Sequence, residues 1–376
     1  MNILIVNYEY PPIGGGAASA SKQMAEEMTR QGHFVGVLTS SYKELRGEKK
    51  EGEVVVYRCK SVRKQQFQSN IFEMMSYIFT ASFVVGKLIR KWKIDHTIVY
   101  FSFPGGPVGL VGKLFHKTPY IVSLRGGDVP GAEQGLKAIH FFLTPLRRLI
   151  LYKSKAVVAN SRSLMELANK SDPLHYKVIP NGIDTTFYCP DTETLNIQKP
   201  CEFLFVGRMQ PQKNLFYLFD RIAELKNKTN KPFIFNIAGD GYLRTDLESY
   251  SLKLGIKPNI IFHGWLDKTQ LLALYQKADC IVNPSLYEGM SNVLLEAMAC
   301  GLPVIASNVT GNDELVDHKL TGYLFNLDKP EDLIQLLLSV VEDPRLIKSL
   351  GVKARNHVIE NYSWQKVAAE YVFLLT

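Results

Sequence analysis

Short apolar, β-branched runs recur along the chain with amphipathic segments between them. In the first half they fall at Ile3–Val6, Phe34–Leu38, Val54–Tyr57, Thr97–Tyr100, Tyr120–Leu124 and Ala156–Ala159. In the second half they fall at Phe203–Val206, Phe233–Ile237, Ile260–Phe262, Cys280–Asn283 and Val304–Ile305. The runs are nearly continuous rather than alternating, which is the pattern of strands covered on both faces by helices. Two successive sets of strand–helix units predict an α/β chain with two open, doubly wound parallel sheets. The break between them lies where Lys177-Val178-Ile179-Pro180-Asn181-Gly182-Ile183-Asp184 closes one set and the polar stretch Asp191–Pro200 precedes the next. Proline and Asn-Gly punctuate turns, so the expected organisation is a first domain over 1–180, a linker over 181–200 and a second domain over 201–362.

Two apolar stretches carry basic collars. Met74 to Val85 precedes Lys87, Arg90, Lys91 and Lys93, and Ile139–Leu151 contains or precedes Arg147, Arg148, Lys153 and Lys155. A run of twelve residues is short of the roughly 20 that cross a bilayer, so the first is expected to be a buried helix or one lying in a membrane interface.

Composition sharpens this picture. Hydrophobic residues at 46% and charged residues at 21% are globular values. Cys59, Cys189, Cys201, Cys280 and Cys300 are scattered and form no C-x-x-C pair, which argues for reduced thiols and against a disulfide framework or zinc site. The segment from Met1 starts at once as a strand, without the features of a secretory leader, so a cytoplasmic location is expected. The net charge of +8 is uneven: residues 1–185 hold 25 Lys and Arg against 14 Asp and Glu. Such a basic half suits an anionic partner, with the inner face of a membrane as the candidate, or is simply a solvated lysine-rich surface. Aromatic residues are not interleaved with the basic runs in any nucleic-acid-binding module, and no nucleic-acid partner is expected.

Candidate chemistry lies at the ends of strands. Tyr10-Pro11-Pro12-Ile13-Gly14-Gly15-Gly16 joins the first strand to a helix-like segment, either as a plain tight turn or as a place where backbone amides approach a diphosphate. Its spacing is not that of a dinucleotide site. Gly207-Arg208-Met209-Gln210-Pro211-Gln212-Lys213-Asn214 follows a second-half strand, where open α/β sheets bind ligands. Arg208 and Lys213 there are either solvated loop cations or a clamp for a diphosphate leaving group. In the run Asn283 to Val304, Ser291 or Asn292 caps a helix that Gly301 and Pro303 end, with free amides expected at Met290, Ser291 and Asn292. Glu288 lies in the loop before that helix. Glu296 lies inside it among apolar residues, so its carboxylate needs a partner, either ligand hydroxyls or a buried cation.

These motifs in order resemble the family 4 glycosyltransferases of the GT-B architecture. Glu288 and Glu296 match the family's E-x7-E signature, with Glu-Ala-Met-Ala-Cys-Gly-Leu-Pro-Val after it. Gly14–Gly16 resembles its first glycine loop, and Pro180-Asn181-Gly182-Ile183-Asp184 its interdomain hinge. Gly207-Arg208 with Lys213-Asn214 resembles its diphosphate clamp, while Gly239-Asp240-Gly241 and Phe262-His263-Gly264 resemble its nucleotide side. Tyr362-Ser363-Trp364 resembles the start of a last helix, 363–376, that crosses back onto the first domain. The resemblance covers nearly the whole chain and implies two Rossmann-like domains facing across a cleft.

It also implies roles. Arg208 and Lys213 would neutralise the donor diphosphate, Glu296 would hold the ribose hydroxyls, and Glu288 would contact the transferred sugar. Gly15 and Gly16 would border the phosphates, and Gly207, Gly239, Gly264 and Gly289 would line the donor. The amides of Met290 to Asn292 would face sugar hydroxyls. Many members carry a histidine after the strand Ile121–Leu124, whereas this chain reads Leu124-Arg125-Gly126-Gly127-Asp128. Arg125 and Asp128 are therefore acceptor- or sugar-binding candidates, or a structural pair. The implied reaction is retaining, metal-independent transfer from a nucleoside diphosphate sugar, uridine favoured and guanosine open, to a glycan or lipid-linked hydroxyl in cell-surface polysaccharide or glycolipid synthesis. No cofactor is expected beyond that co-substrate. A sugar-nucleotide epimerase would act without acceptor, a phosphorylase would require phosphate, and a binding protein would release no nucleotide diphosphate.

Overall fold

The apolar runs become the strands of two separate sheets in a computed structural model, which describes residues 1–66, 69–132, 137–191 and 200–376, without side chains at 137–139. The chain divides into two compact units, Met1–Gly182 with Trp364–Thr376, and Ile183–Ser363.

Among the described residues, the first unit holds eight strands. They are β1 (Asn2–Val6), β2 (Phe34–Ser40), β3 (Gly47–Glu51), β4 (Val54–Cys59), β5 (His96–Tyr100), β6 (Tyr120–Leu124), β7 (Ala156–Ala159) and β8 (Tyr176–Val178). Their order is β3-β4-β2-β1-β5-β6-β7-β8. Alternate residues of the central strands feed two cores. Leu4, Val6 and Leu38 pack with the helices Ile71–Trp92, Gly106–His116 and Lys137–Lys153, while Ile3, Ile5 and Val37 pack with the helices Gly16–Arg30 and Trp364–Leu375.

Every pairing in this sheet is parallel except β3 with β4. The unforeseen β3 is the charged run Gly-Glu-Lys-Lys-Glu, turned back through Gly52 at φ 61°. A strand of four charged residues at a sheet edge discourages pairing with other chains. The terminal helix is tied down by Ser123 Oγ and Tyr371 Oη at 2.6 Å and by Lys155 Nζ donating to Leu375 O at 2.6 Å.

The second unit's sheet is wholly parallel, with the order β11-β10-β9-β12-β13-β14. Its strands are β9 (Cys201–Val206), β10 (Phe233–Ala238), β11 (Ile260–Gly264), β12 (Cys280–Asn283), β13 (Val304–Ser307) and β14 (Tyr323–Phe325). The chain steps outward from β9 to β11 on one side, then returns to lay β12 against the other side of β9. The reversal of strand order therefore falls between β9 and β12.

The unit boundary lies at Gly182, and the next residues are not a linker: Ile183 and Tyr188 are buried in the second unit's core. Residues 192–199 of the expected linker lie outside the described residues. The helix Ile71–Trp92 is also longer than its apolar run implied. At 22 residues it is long and apolar enough to cross a membrane. It packs instead through Tyr77, Ala81, Val85 and Leu88 into the first unit's core, so contact rather than length keeps it on the sheet.

Candidate functional site

Open α/β sheets bind ligands outside the carboxyl ends of their strands where strand order reverses. At that place in the second unit the loops after β9 and β12 are laced together. Leu286 N–H donates to Gln212 O at 2.8 Å, and the Gln212 side-chain amide donates to Tyr287 O at 2.8 Å. These ties set Lys213 Nζ 2.5 Å from Glu288 Oε1, with side chains only 14% and 8% exposed. Ser285 Oγ donates to the same carboxylate oxygen at 2.7 Å. Asn214 sits in the left-handed region at φ 55° and ends the short turn that carries Lys213, before the helix Leu215–Lys228. Arg208 lies in the same loop, exposed.

A third loop supports Glu288. Its N–H donates to Thr310 O at 3.2 Å. Gly311 has φ 93°, and a Cβ there would stand 2.6 Å from both Glu288 O and Gly289 O, so this approach requires glycine. The glycines at the ends of the neighbouring strands form a similar close layer. Gly207 N–H donates to Ala238 O at 3.0 Å, Gly239 N–H donates to Gly264 O at 2.7 Å, and a Cβ on Gly239 would strike Gly207 O. Gly239 and Gly264 both have positive φ, at 124° and 69°.

Ser291 caps the helix Asn292–Ala299, its hydroxyl accepting from Leu294 N–H at 3.4 Å, with Met290 in the turn just before. In the second turn Glu296 meets phenols rather than a lysine or arginine. Tyr275 Oη donates to Glu296 Oε2 at 2.8 Å, and Tyr188 also hydrogen-bonds this carboxylate. Burial pushes the Glu296 carboxyl above the usual range, while the two phenol hydroxyls pull it back. Tyr188 and Tyr275 were not singled out in the sequence; the signal there was a glutamate among apolar residues, whose carboxylate needs a partner.

The candidates of the first unit are placed within that unit. Gly15 is the residue before the helix Gly16–Arg30, and its N–H donates to Glu9 Oε2 at 3.4 Å. Glu9 in turn pairs with Arg63 at 3.3 Å, a guanidinium whose side chain is 2% exposed and lies over the Tyr8 ring. This carboxylate and its arginine, 54 residues apart, escaped the sequence reading. Arg125 and Asp128 do not form a side-chain ion pair. The Asp128 carboxylate accepts from the backbone N–H groups of Ser102, Arg125 and Gly126 at 2.6, 2.9 and 3.2 Å. The Arg125 guanidinium instead donates to Asn181 Oδ1 at 2.5 Å and stacks 4.2 Å over the Tyr100 ring.

Comparison with known proteins gives the family and agrees with the fold. The family description "Glycosyltransferase Family 4" matches residues 14–187, and "Glycosyl transferases group 1" matches residues 191–361. An uncharacterised glycosyltransferase of Methanocaldococcus jannaschii is 31% identical over 99% of this chain and 97% of its own length. An Escherichia coli enzyme, UDP-Gal:alpha-D-GlcNAc-diphosphoundecaprenol alpha-1,3-galactosyltransferase, is 31% identical over 51% of each chain. A protein of Anabaena, solved in complex with UDP and glucose, superposes with a TM-score of 0.72 at 20% identity, covering 100% of this chain and 99% of its own.

Proposed function

Since the chain belongs to the family 4 glycosyltransferases of the GT-B architecture, we propose that it moves a sugar from a UDP-sugar to a hydroxyl of a glycan or lipid-linked acceptor, with retention at the anomeric carbon and without a metal ion. The observation that carries this reading is the Lys213–Glu288 contact at the reversal of strand order.

The leaving diphosphate gains negative charge as the glycosidic bond breaks, so cations fixed in advance lower the barrier. Lys213 and Arg208 supply that charge, the role a divalent cation fills elsewhere. Before donor arrives, Glu288 balances Lys213. An incoming diphosphate competes for the ammonium and leaves the Glu288 carboxylate, still held by Ser285, to face the positive charge that develops at the anomeric carbon. Glu296 accepts from the ribose hydroxyls while Tyr275 and Tyr188 orient it. The Met290–Asn292 turn, with Gly289, meets the hydroxyls of the transferred sugar. The acceptor hydroxyl attacks from the face the diphosphate leaves, and its proton passes to the departing diphosphate oxygen, which preserves the configuration. Positioning and electrostatics do the catalysis.

UDP is favoured because the E. coli relative is named for a UDP-galactose donor and the Anabaena protein was solved with UDP. The same E. coli name, with its diphosphoundecaprenol acceptor, supports a lipid-linked acceptor and a place in cell-surface glycan synthesis. Within the first unit, Arg125 is the candidate for acceptor contact, and Gly15 and Gly16 for the phosphate border. Cys59, Cys189, Cys280 and Cys300 are reduced thiols, which supports work in the reducing cytoplasm.

The test is product analysis with UDP-sugars and sugar or lipid acceptors in excess EDTA. An α-linked product from an α-configured donor supports the reading. A β-linked product, a strict metal requirement, or donor conversion without acceptor overturns it.

A further inference from the structure

The helices Ile71–Trp92, Gly106–His116 and Lys137–Lys153 cover one face of the first unit's sheet side by side. The first two close where the His116 ring lies against Gly86, and the last two where Ile150 packs onto Gly106. Their inward faces are ordinary core. Their outward faces are not. Phe72, Phe79, Phe83, Phe115, Phe141 and Phe142 are each between 66% and 80% exposed. On the first helix Phe72, Met75, Phe79 and Phe83 follow at steps of three and four, so they form a single stripe, and exposed Lys87 and Arg90 continue it. Phe79 and Phe83 pack edge to face at 4.9 Å. Soluble surfaces rarely carry a contiguous apolar patch of this kind without a partner.

Charge selects the partner. The three helices expose Lys87, Arg90, Lys91, Arg148 and Lys153, of which Lys91 pairs with Glu48 and Arg148 with Asp172, while their own one carboxylate, Glu73, is buried and caps its helix. We infer that this face docks on an anionic lipid bilayer, the phenylalanines entering the boundary between headgroups and acyl chains and the basic residues meeting the phosphates. A second copy of the chain would bring two such basic faces together, which like-charge repulsion disfavours. The helix Ile71–Trp92 lies on the bilayer rather than crossing it, because its other face is fixed in the core. The inference stands on the first unit alone and does not depend on the proposed reaction.

The experiment is flotation of the full chain with vesicles of phosphatidylcholine, with and without phosphatidylglycerol, at low and high salt. The expected result is binding to the anionic vesicles that salt weakens. Lys87→Glu with Arg90→Glu should weaken it by about fivefold or more per residue. Phe79→Ser with Phe83→Ser should abolish it while leaving the thermal shift given by UDP unchanged, which separates this proposal from the donor site. Equal binding to neutral vesicles, no binding, or full binding by the phenylalanine variant overturns the inference. So does a concentration-dependent dimer that this variant dissolves, which would assign the face to a second copy.

Discussion

Lys213 Nζ stands 2.5 Å from Glu288 Oε1, and the two residues lie on loops that leave adjacent strands at the point where the sheet's strand order reverses. The pair is mostly shielded from water, so each charge depends on the other, and on the proposed function a donor diphosphate enters that balance.

Replacement of Lys213 by alanine removes one preorganised charge from the departing diphosphate. Turnover should fall by on the order of 10²–10³, as for loss of one fixed donor to a developing anion. Initial rates at saturating donor check this. The double variant with Glu288→Gln should lose much less than the product of the two single losses, since the residues act as a unit.

Gly311→Ala changes no charged group yet should damage the site. The new Cβ must sit at φ 93° and press on the carbonyls of residues 288 and 289. Displacement of Glu288 by roughly 1 Å should cost about 10² in turnover. A rate near that of the parent protein, with the fold intact by circular dichroism, would contradict the positioning argument.

Glu296 links the site to pH. Its folded pKa is raised by burial, so between the ordinary glutamate value of 4.5 and the raised one the folded state binds a proton that the unfolded state does not. Stability contributed by the protonated form is then lost as pH rises through that window. Glu296→Gln should flatten the fall, seen as a smaller decline in Tm from acid to neutral pH than the parent shows. The same variant should raise the donor KM more than it lowers kcat.

Arg125→Lys keeps the charge but not the planar stack on Tyr100 that holds the guanidinium while it donates to Asn181. A planar stack is not transferable to a tetrahedral ammonium. Urea midpoints should place both Arg125→Lys and Arg125→Ala about 1–2 kcal/mol below the parent. Full stability in the lysine variant would mean that charge alone matters there.

The chain's apolar punctuation made eleven strands legible, because strands buried on both faces read as continuous hydrophobic runs. β3 was hidden since Gly47–Glu51 carries four charges on an edge, and β8 and β14 since three residues make too short a run. The helix Ile71–Trp92 was half legible: Met74 to Val85 reads as a buried or an interfacial helix, and the structure buries one face of it while exposing the phenylalanine stripe. Motif spacing singled out Arg208, Lys213, Glu288 and Glu296 as candidates. It could not show that Lys213 and Glu288 touch across 75 residues, or that Glu296 is held by Tyr188 and Tyr275, because those contacts depend on how the loops and helices pack.

The central claim is that Lys213 grips a nucleotide's diphosphate, and calorimetric titration of the parent protein and Lys213→Ala with UDP and with UMP tests it most directly. The account predicts that UDP binds the parent and loses at least about tenfold in affinity in the variant, a charge-assisted contact's share, while UMP changes little. Equal affinity of the two proteins for UDP, or an equal loss for UDP and UMP, would contradict it.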